Sequence, residues 1–152
     1  MAEDEVLGVI ETQVAMLVRL GEATRRSTGR EPHRALDRSA YVILRHLQAA
    51  GPQNISALAD RLNLDGSTVT RQVTALERDG LAQRRADPRD GRGTVIEPTE
   101  LGLTQVDAVA EARRAVYDRL LHDWSAADRQ QLAEVLRHFN ESAEAYVRAS
   151  RS

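Results

Sequence analysis

Ser67, Thr68, Thr70 and Arg71 stand together at the start of one apolar-periodic stretch, and Arg89 and Arg92 flank the Asp90-Gly91 dipeptide further along. Small hydroxyls let a partner surface come close, and an arginine fork matches the acceptor pair on a guanine edge. The first amides of a helix favour a phosphate. An arginine carried at a turn tip suits a narrow groove of negative potential. The chemistry these residues offer is therefore recognition of a DNA duplex. Plainer readings stand beside it: first-turn hydroxyls on a solvated helix, with Arg71 paired to a nearby acid, and a surface turn in which Asp87 or Asp90 neutralises Arg89 or Arg92.

Other chemistries find little support. Cysteine is absent from the 152 residues, which removes disulfides, thiolate ligands and thiol nucleophiles. The four histidines, His33, His46, His122 and His138, lie far apart in sequence with no His-Glu-x-x-His pairing, so neither a metal site nor a catalytic residue is expected, and no cofactor. Asp118, Asp123 and Asp128 read as a solvated face. A non-enzymatic interaction module remains as a competitor, since long terminal helices would serve it equally well. No apolar run approaches the length of a membrane span, and the first segment is acidic at Glu3, Asp4 and Glu5 rather than basic. A cytoplasmic chain with no membrane partner is the expectation.

Charge does not advertise a nucleic-acid partner. The formal net charge is -2, and from Asn54 to Pro98 seven arginines face seven acids, Asp60, Asp65, Glu77, Asp79, Asp87, Asp90 and Glu97. Any DNA-binding face must then come from where the charges sit. All basic residues are arginine and none is lysine, a habit that a GC-rich genome explains as readily as function does.

The elements that would position these residues follow from periodicity. Leu7, Ile10, Val14, Leu17 and Leu20 mark a long amphipathic helix from about 5 to 27. Gly29 and Pro32 break the chain at 28–33. Asp37 caps a helix carrying Tyr41, Leu44 and Leu47, ended by Gly51-Pro52. A short helix from about Ser56 to Leu62 takes Ser56 or Asn54 as its cap and closes on Asn63. Asp65 opens the next, with Val69, Val73 and Leu76 inward, and Gly80 stops it. Two short strands, Leu81 to Arg85 and Thr94 to Glu97, enclose a turn at Asp87 to Gly93. Thr99 caps a second long helix with Val106, Val109, Ala112, Val116 and Leu120 at helical spacing. After Trp124, Ser125 and Asp128 form an imperfect capping box, the acid one methylene short, for a last helix bearing Leu132, Val135, Leu136, Phe139, Ala143 and Tyr146. Helix, tight turn, helix and hairpin in that order leave the second helix free to enter a major groove. Tyr41, Trp124 and Phe139 are expected to pack in the core or at helix junctions.

With these pieces in order, the chain resembles the multiple antibiotic resistance regulator (MarR) family. The resemblance is carried by Ile55-Ser-Ala-Leu-Ala-Asp-Arg-Leu62, Ser67-Thr-Val-Thr-Arg71, Leu76-Glu-Arg-Asp-Gly-Leu81, Asp87-Pro-Arg-Asp-Gly-Arg92 and Thr99-Glu-Leu-Gly102. It implies a mainly α fold with a small β-hairpin: a single domain over 1–152, with a winged helix-turn-helix lobe at 37–98 and dimerisation helices at 5–27 and 99–149. The implied function is that of a homodimeric, ligand-responsive repressor on a pseudo-palindromic operator in double-stranded DNA, contacted by Ser67, Thr68, Thr70, Arg71, Arg89 and Arg92. It also implies a small aromatic or anionic effector held between the lobes, where Tyr41 is a candidate. Peroxide sensing through a first-helix cysteine is excluded. Pro98 replaces a more usual apolar residue, so the second strand is expected to end by Glu97.

Overall fold

The computed structural model describes residues 2–27 and 36–151; the expected break at 28–33 lies outside the described residues. Residues 1–35 and 36–152 form two compact units. The first holds α1 (Glu3–Ser27), whose acidic first turn, Glu3, Asp4 and Glu5, suits the positive end of the helix dipole. Its stripe of Leu7, Ile10, Leu17 and Leu20 is exposed.

The second unit runs α2 (Arg38–Ala50), α3 (Ile55–Leu62), α4 (Gly66–Arg78), β1 (Ala82–Ala86), β2 (Thr94–Pro98), α5 (Glu100–Leu120) and α6 (Ala126–Ser150). Each of its helices opens on a side-chain cap, from Asp37, Asn54, Asp65, Thr99 and Ser125 in turn, so the sequence sets where every helix starts. Asn54, not Ser56, caps α3, through Ala57 N at 2.8 Å. Asn63 closes α3 in the left-handed region at φ 54. Ahead of α6 the short Asp128 carboxylate accepts the Ser125 hydroxyl at 2.6 Å, while the Asp128 amide donates to that same oxygen at 3.1 Å.

Leu44 and Leu47 of α2, Val69 and Val73 of α4, Ile96 of β2 and Val106 of α5 are buried to within 1 % and make the core. Ile43, which the periodicity did not single out, is buried with them. Removing any one leucine here would cost about 2–5 kcal/mol. The outer part of the chain differs. No residue of α6 is buried, and Leu120, Val135, Phe139 and Tyr146 are exposed. Trp124 is 46 % and Phe139 45 % exposed, so neither is in the core; Trp124 instead stands at the junction of α5 and α6, where it lines an open groove with Leu132 and Val135.

The hairpin begins one residue later than its pattern suggests. Gly80, at φ 72, turns the chain after α4, and the Leu81 amide still donates to Leu76 O at 2.9 Å, so Leu81 belongs to the helix closure and β1 starts at Ala82. The strands are antiparallel with Ala82 opposite Pro98 and Arg84 opposite Ile96. Pro98 therefore lies inside β2, contrary to the expected end at Glu97. The register supplies the reason. Asp87 N donates to Gly93 O and Thr99 N to Leu81 O, which makes the odd-numbered residues of β2 the ones bonded to β1. Even-numbered residues turn their amides outward, and Ile96 exchanges both bonds with Gln53 as an isolated bridge. The amide that Pro98 lacks would face away from β1, so the ladder loses nothing.

Candidate nucleic-acid interface

The turn Asn63 to Asp65 joins α3 to α4, and burial of Val69, Val73 and Leu76 at 3 % exposure or less turns the opposite face of α4 outward. At about 100° per residue that face carries Ser67, Arg71 and Thr74, and all three are exposed. Thr70 is exposed beside them and Thr68 is half-buried. Sequence reasoning missed Thr74, although its i+3 spacing from Arg71 and i+7 spacing from Ser67 was sufficient to find it.

The hydroxyls at the start of α4 are already committed as donors. Ser67 Oγ donates to Asp65 Oδ1 at 2.6 Å, and Thr68 donates to Asp65 through both its amide, at 2.7 Å, and its hydroxyl, at 2.9 Å. Thr70 Oγ1 donates back to Gly66 O at 2.7 Å, and Thr74 Oγ1 to Thr70 O at 2.8 Å. These bonds hold the Asp65 carboxyl far below the usual carboxylate range, Ser67 contributing most, so the cap stays ionised at neutral pH. The consequence differs from a helix end with open amides. Ser67, Thr68, Thr70 and Thr74 offer spare lone pairs able to accept from the amino groups of cytosine or adenine, and the three threonines add methyl groups able to pack on thymine. Among these outward side chains, Arg71 alone carries a charged donor without an acid partner.

Seven arginines and seven acids lie between Asn54 and Pro98, and the fold sorts them. Arg61 pairs with Glu144 at 3.1 Å, Arg78 with Asp79 at 3.4 Å, Arg84 with Glu77 at 2.6 Å and Arg85 with Glu97 at 2.7 Å. Glu97 also accepts from Gln83 at 3.0 Å. In the wing, Asp87 and Asp90 do not neutralise an arginine side chain. Asp87 Oδ1 accepts the Arg89 amide at 2.8 Å and Asp90 Oδ1 the Arg92 amide at 3.1 Å, two successive Asx turns that shape the tip. Among the described residues no acid pairs with the guanidinium of Arg71, Arg89 or Arg92, and all three residues are exposed. Of the seven acids, Glu77, Asp79 and Glu97 hold arginines and Asp65, Asp87 and Asp90 accept local hydrogen bonds, while the guanidiniums of Arg71, Arg89 and Arg92 stay exposed on α4 and at the hairpin tip.

Tyr41 on α2 is half-buried, with the Arg113 guanidinium of α5 stacked 4.1 Å from its ring centroid, a cation-π contact. Nearby, Gln48 donates to Asp107 at 2.9 Å and accepts from Arg45 at 2.8 Å, a second polar tie between α2 and α5. Burial, and then the charge of Arg61, lower the pKa of His46 below its ordinary value, so this histidine is neutral at pH 7. Among the described residues no group of three or more His, Asp or Glu side chains is arranged to hold a metal, and no helix is long and apolar enough to cross a membrane.

Comparison with known proteins agrees with this geometry. The MarR family model matches residues 36–94, from the end of the first unit through the wing. The chain is 36% identical over 107 residues to the uncharacterized HTH-type transcriptional regulator YxaD of Bacillus subtilis, covering 70% of this chain and 75% of that protein. It is 30% identical over 101 residues to the HTH-type transcriptional repressor IacR of Pseudomonas putida, covering 66% of this chain and 60% of the relative. Among solved structures, a MarR family protein from Bacillus stearothermophilus superposes with a TM-score of 0.78 at 20% identity, covering 94% of this chain and 99% of that one. The PcaV transcriptional regulator from Streptomyces coelicolor, in complex with its natural ligand, superposes with a TM-score of 0.65 at 23% identity, covering 84% and 91%.

Proposed function

Since the chain belongs to the MarR family and is a DNA-binding transcriptional regulator rather than an enzyme, we propose that it acts in the cytoplasm as a homodimeric, ligand-responsive repressor. In this reading it grips a pseudo-palindromic operator through Ser67, Thr68, Thr70 and Arg71 in the major groove and Arg89 and Arg92 from the wing. One observation carries the proposal: among the arginines from Asn54 to Pro98, those left without an acid are the three on the outward face of α4 and at the wing tip. A duplex selected from a randomised pool by the intact protein, then tested by mobility shift at two salt concentrations, checks it. Specific binding that weakens with salt supports the reading, and failure to enrich any duplex rejects it.

The two wing arginines divide the work. Arg89 follows Pro88 and precedes the Asp90-Gly91 turn, a place at the tip that favours entry into a minor groove; Arg92 lies past the turn, where it either braces the hairpin against Asp87 or reaches a phosphate. Arg89→Ala should weaken binding most where the operator flanks are A·T-rich, and G·C flanks should erase most of that difference. A loss equal on both flanks, with the salt slope lower by about one unit, is the signature of a phosphate contact instead.

The exposed stripes of α1 and α6, Leu7, Leu17, Val135 and Phe139 among them, support dimerisation, since faces this apolar are seldom left to water. Sedimentation at nanomolar concentration should still show a dimer. A stable folded monomer there contradicts the assembly. A small aromatic or anionic effector would enter beside Tyr41 and compete for the Arg113 guanidinium that now covers its ring. The structure of the similar PcaV regulator with its natural ligand supports a ligand in this fold.

A further inference from the structure

β1 and β2 leave the body of the protein as a ribbon, and one rung of it is fastened on both sides. Arg84 and Ile96 face each other in the register, and directly opposed residues share a face of the sheet. Ile96 is fully buried and Ala82, two residues before Arg84, is 4 % exposed, so Arg84 projects on the side that carries these two into the core. The Arg84 side chain reaches from that side back toward α4 and remains partly open to water. It finds Glu77 of α4, with Arg84 Nε 2.6 Å from Glu77 Oε1 and the two side chains only 37 % and 31 % exposed. On the outer edge of the same rung, Ile96 exchanges two backbone bonds with Gln53. Beyond this rung Val95 is the last buried residue before the tip, and Arg85, Arg89 and Arg92 are exposed. Glu77 lies less than two turns past the outward Arg71 on the same helix, so the pair links the helix that carries Arg71 to the strand that leads to Arg89.

We propose that Glu77 and Arg84 are positioning residues for DNA recognition: their ion pair fixes the direction of the wing against α4, so that Arg89 and Arg92 reach the same duplex as Arg71. The proposal rests on the contact roles assigned above. The Gln53 bridge and the buried Ile96 anchor the base of the ribbon through β2, and the ion pair adds a side-chain tie from β1 to α4. That tie holds the strand to the last turn of α4 and sets the angle at which the ribbon leaves the helix. It acts through geometry and makes no contact with DNA itself.

The absence of cysteine permits a direct test in the 152-residue chain. Spin labels at Thr74→Cys and Gly91→Cys, both at exposed positions, with open space around Gly91, report the distance from α4 to the wing tip without DNA. The intact pair should give one narrow distribution; Glu77→Gln and Arg84→Gln should each broaden or shift it. In parallel, affinity for a duplex selected by the unaltered protein is measured for Arg89→Ala and Arg71→Ala, in the intact and the Glu77→Gln backgrounds. Arg89→Ala should cost about fivefold or more in the intact chain and less than about twofold in the Glu77→Gln chain, while Arg71→Ala costs the same in both. An unchanged distance distribution, an effect from only one end of the pair, or an equal Arg89 cost in both backgrounds overturns the proposal. Loss of the Arg71 cost as well marks general unfolding and overturns it too. If Arg89→Ala costs nothing even in the intact chain, the wing's contact role fails, and the label distances alone then decide whether the pair aims the wing.

Discussion

Gly102→Ala is expected to lower the stability of the folded chain by about 3 kcal/mol, against the usual gain of helix propensity when glycine becomes alanine. Gly102 sits in the first turn of α5, where its amide donates to the Thr99 cap at 3.1 Å. A methyl group there would overlap the Leu81 carbonyl oxygen and press on the Leu81 carbonyl carbon at 3.0 Å. That carbonyl cannot yield easily. It accepts the Thr99 amide at 3.0 Å, and the neighbouring Gly80 carbonyl accepts the Thr99 hydroxyl at 2.6 Å, so the end of α4, the start of β1 and the cap of α5 meet at one point. A thermal melt should show a fall of about 6–12 °C for a chain of this size. Gly66→Ala is the control: it lies at the start of α4 with nothing within 4 Å of an added methyl, and should leave the melting temperature unchanged or slightly raised. If both variants melt alike, the close approach at Gly102 has no energetic weight.

Arg71→Ala should cost about 1–3 kcal/mol of operator affinity, a loss of roughly five- to 150-fold, and relax preference at one symmetric position of the site. The donor inventory of α4 makes this the largest single loss. Ser67, Thr68 and Thr70 spend their hydroxyl protons on Asp65 and Gly66, so Arg71 alone on the first two turns brings a free charged donor to the groove. Thr70→Ala removes only an acceptor and a methyl and should do less. Affinities on the selected duplex and on a scrambled one separate the roles: a base contact shows as loss confined to the selected duplex. Equal affinities for wild type and Arg71→Ala on both would mean that α4 does not face the groove.

Much of this arrangement was legible because local chemistry dictates it. Asp37, Asp65, Thr99 and Ser125 could be named as caps from their place before an apolar period, and Asn63 as a left-handed stop, because a single residue decides each. The stripe Val69, Val73, Leu76 fixed the outward face of α4 for the same reason. What escaped depended on partners distant in sequence. The end of β2 at Pro98 follows from which amides point to β1, a register that one strand cannot reveal. The commitment of Asp87 and Asp90 is the exception: their partners are backbone amides only two residues on, an Asx-turn signal that equal numbers of acids and arginines obscured. Glu77 and Arg84, by contrast, meet only when the chain turns at Gly80. Trp124 and Phe139 are expected in the core or at helix junctions; Trp124 stands at the corner between α5 and α6, but Phe139 is exposed, because apolar spacing cannot tell a face buried within the chain from one left outward.

The central claim is that the unpaired arginines, and not those held by acids, bind DNA. Its most direct test is the affinity and salt slope of five single variants on one selected duplex: Arg71→Gln, Arg89→Gln and Arg92→Gln against Arg61→Gln and Arg85→Gln. The first three should each weaken binding about fivefold or more, with the salt slope falling by about one unit for any that touches phosphate. Arg61, paired with Glu144, and Arg85, paired with Glu97, should each change affinity by less than about twofold. Equal losses from the paired and unpaired groups, or a larger loss at Arg61 or Arg85, would contradict the account.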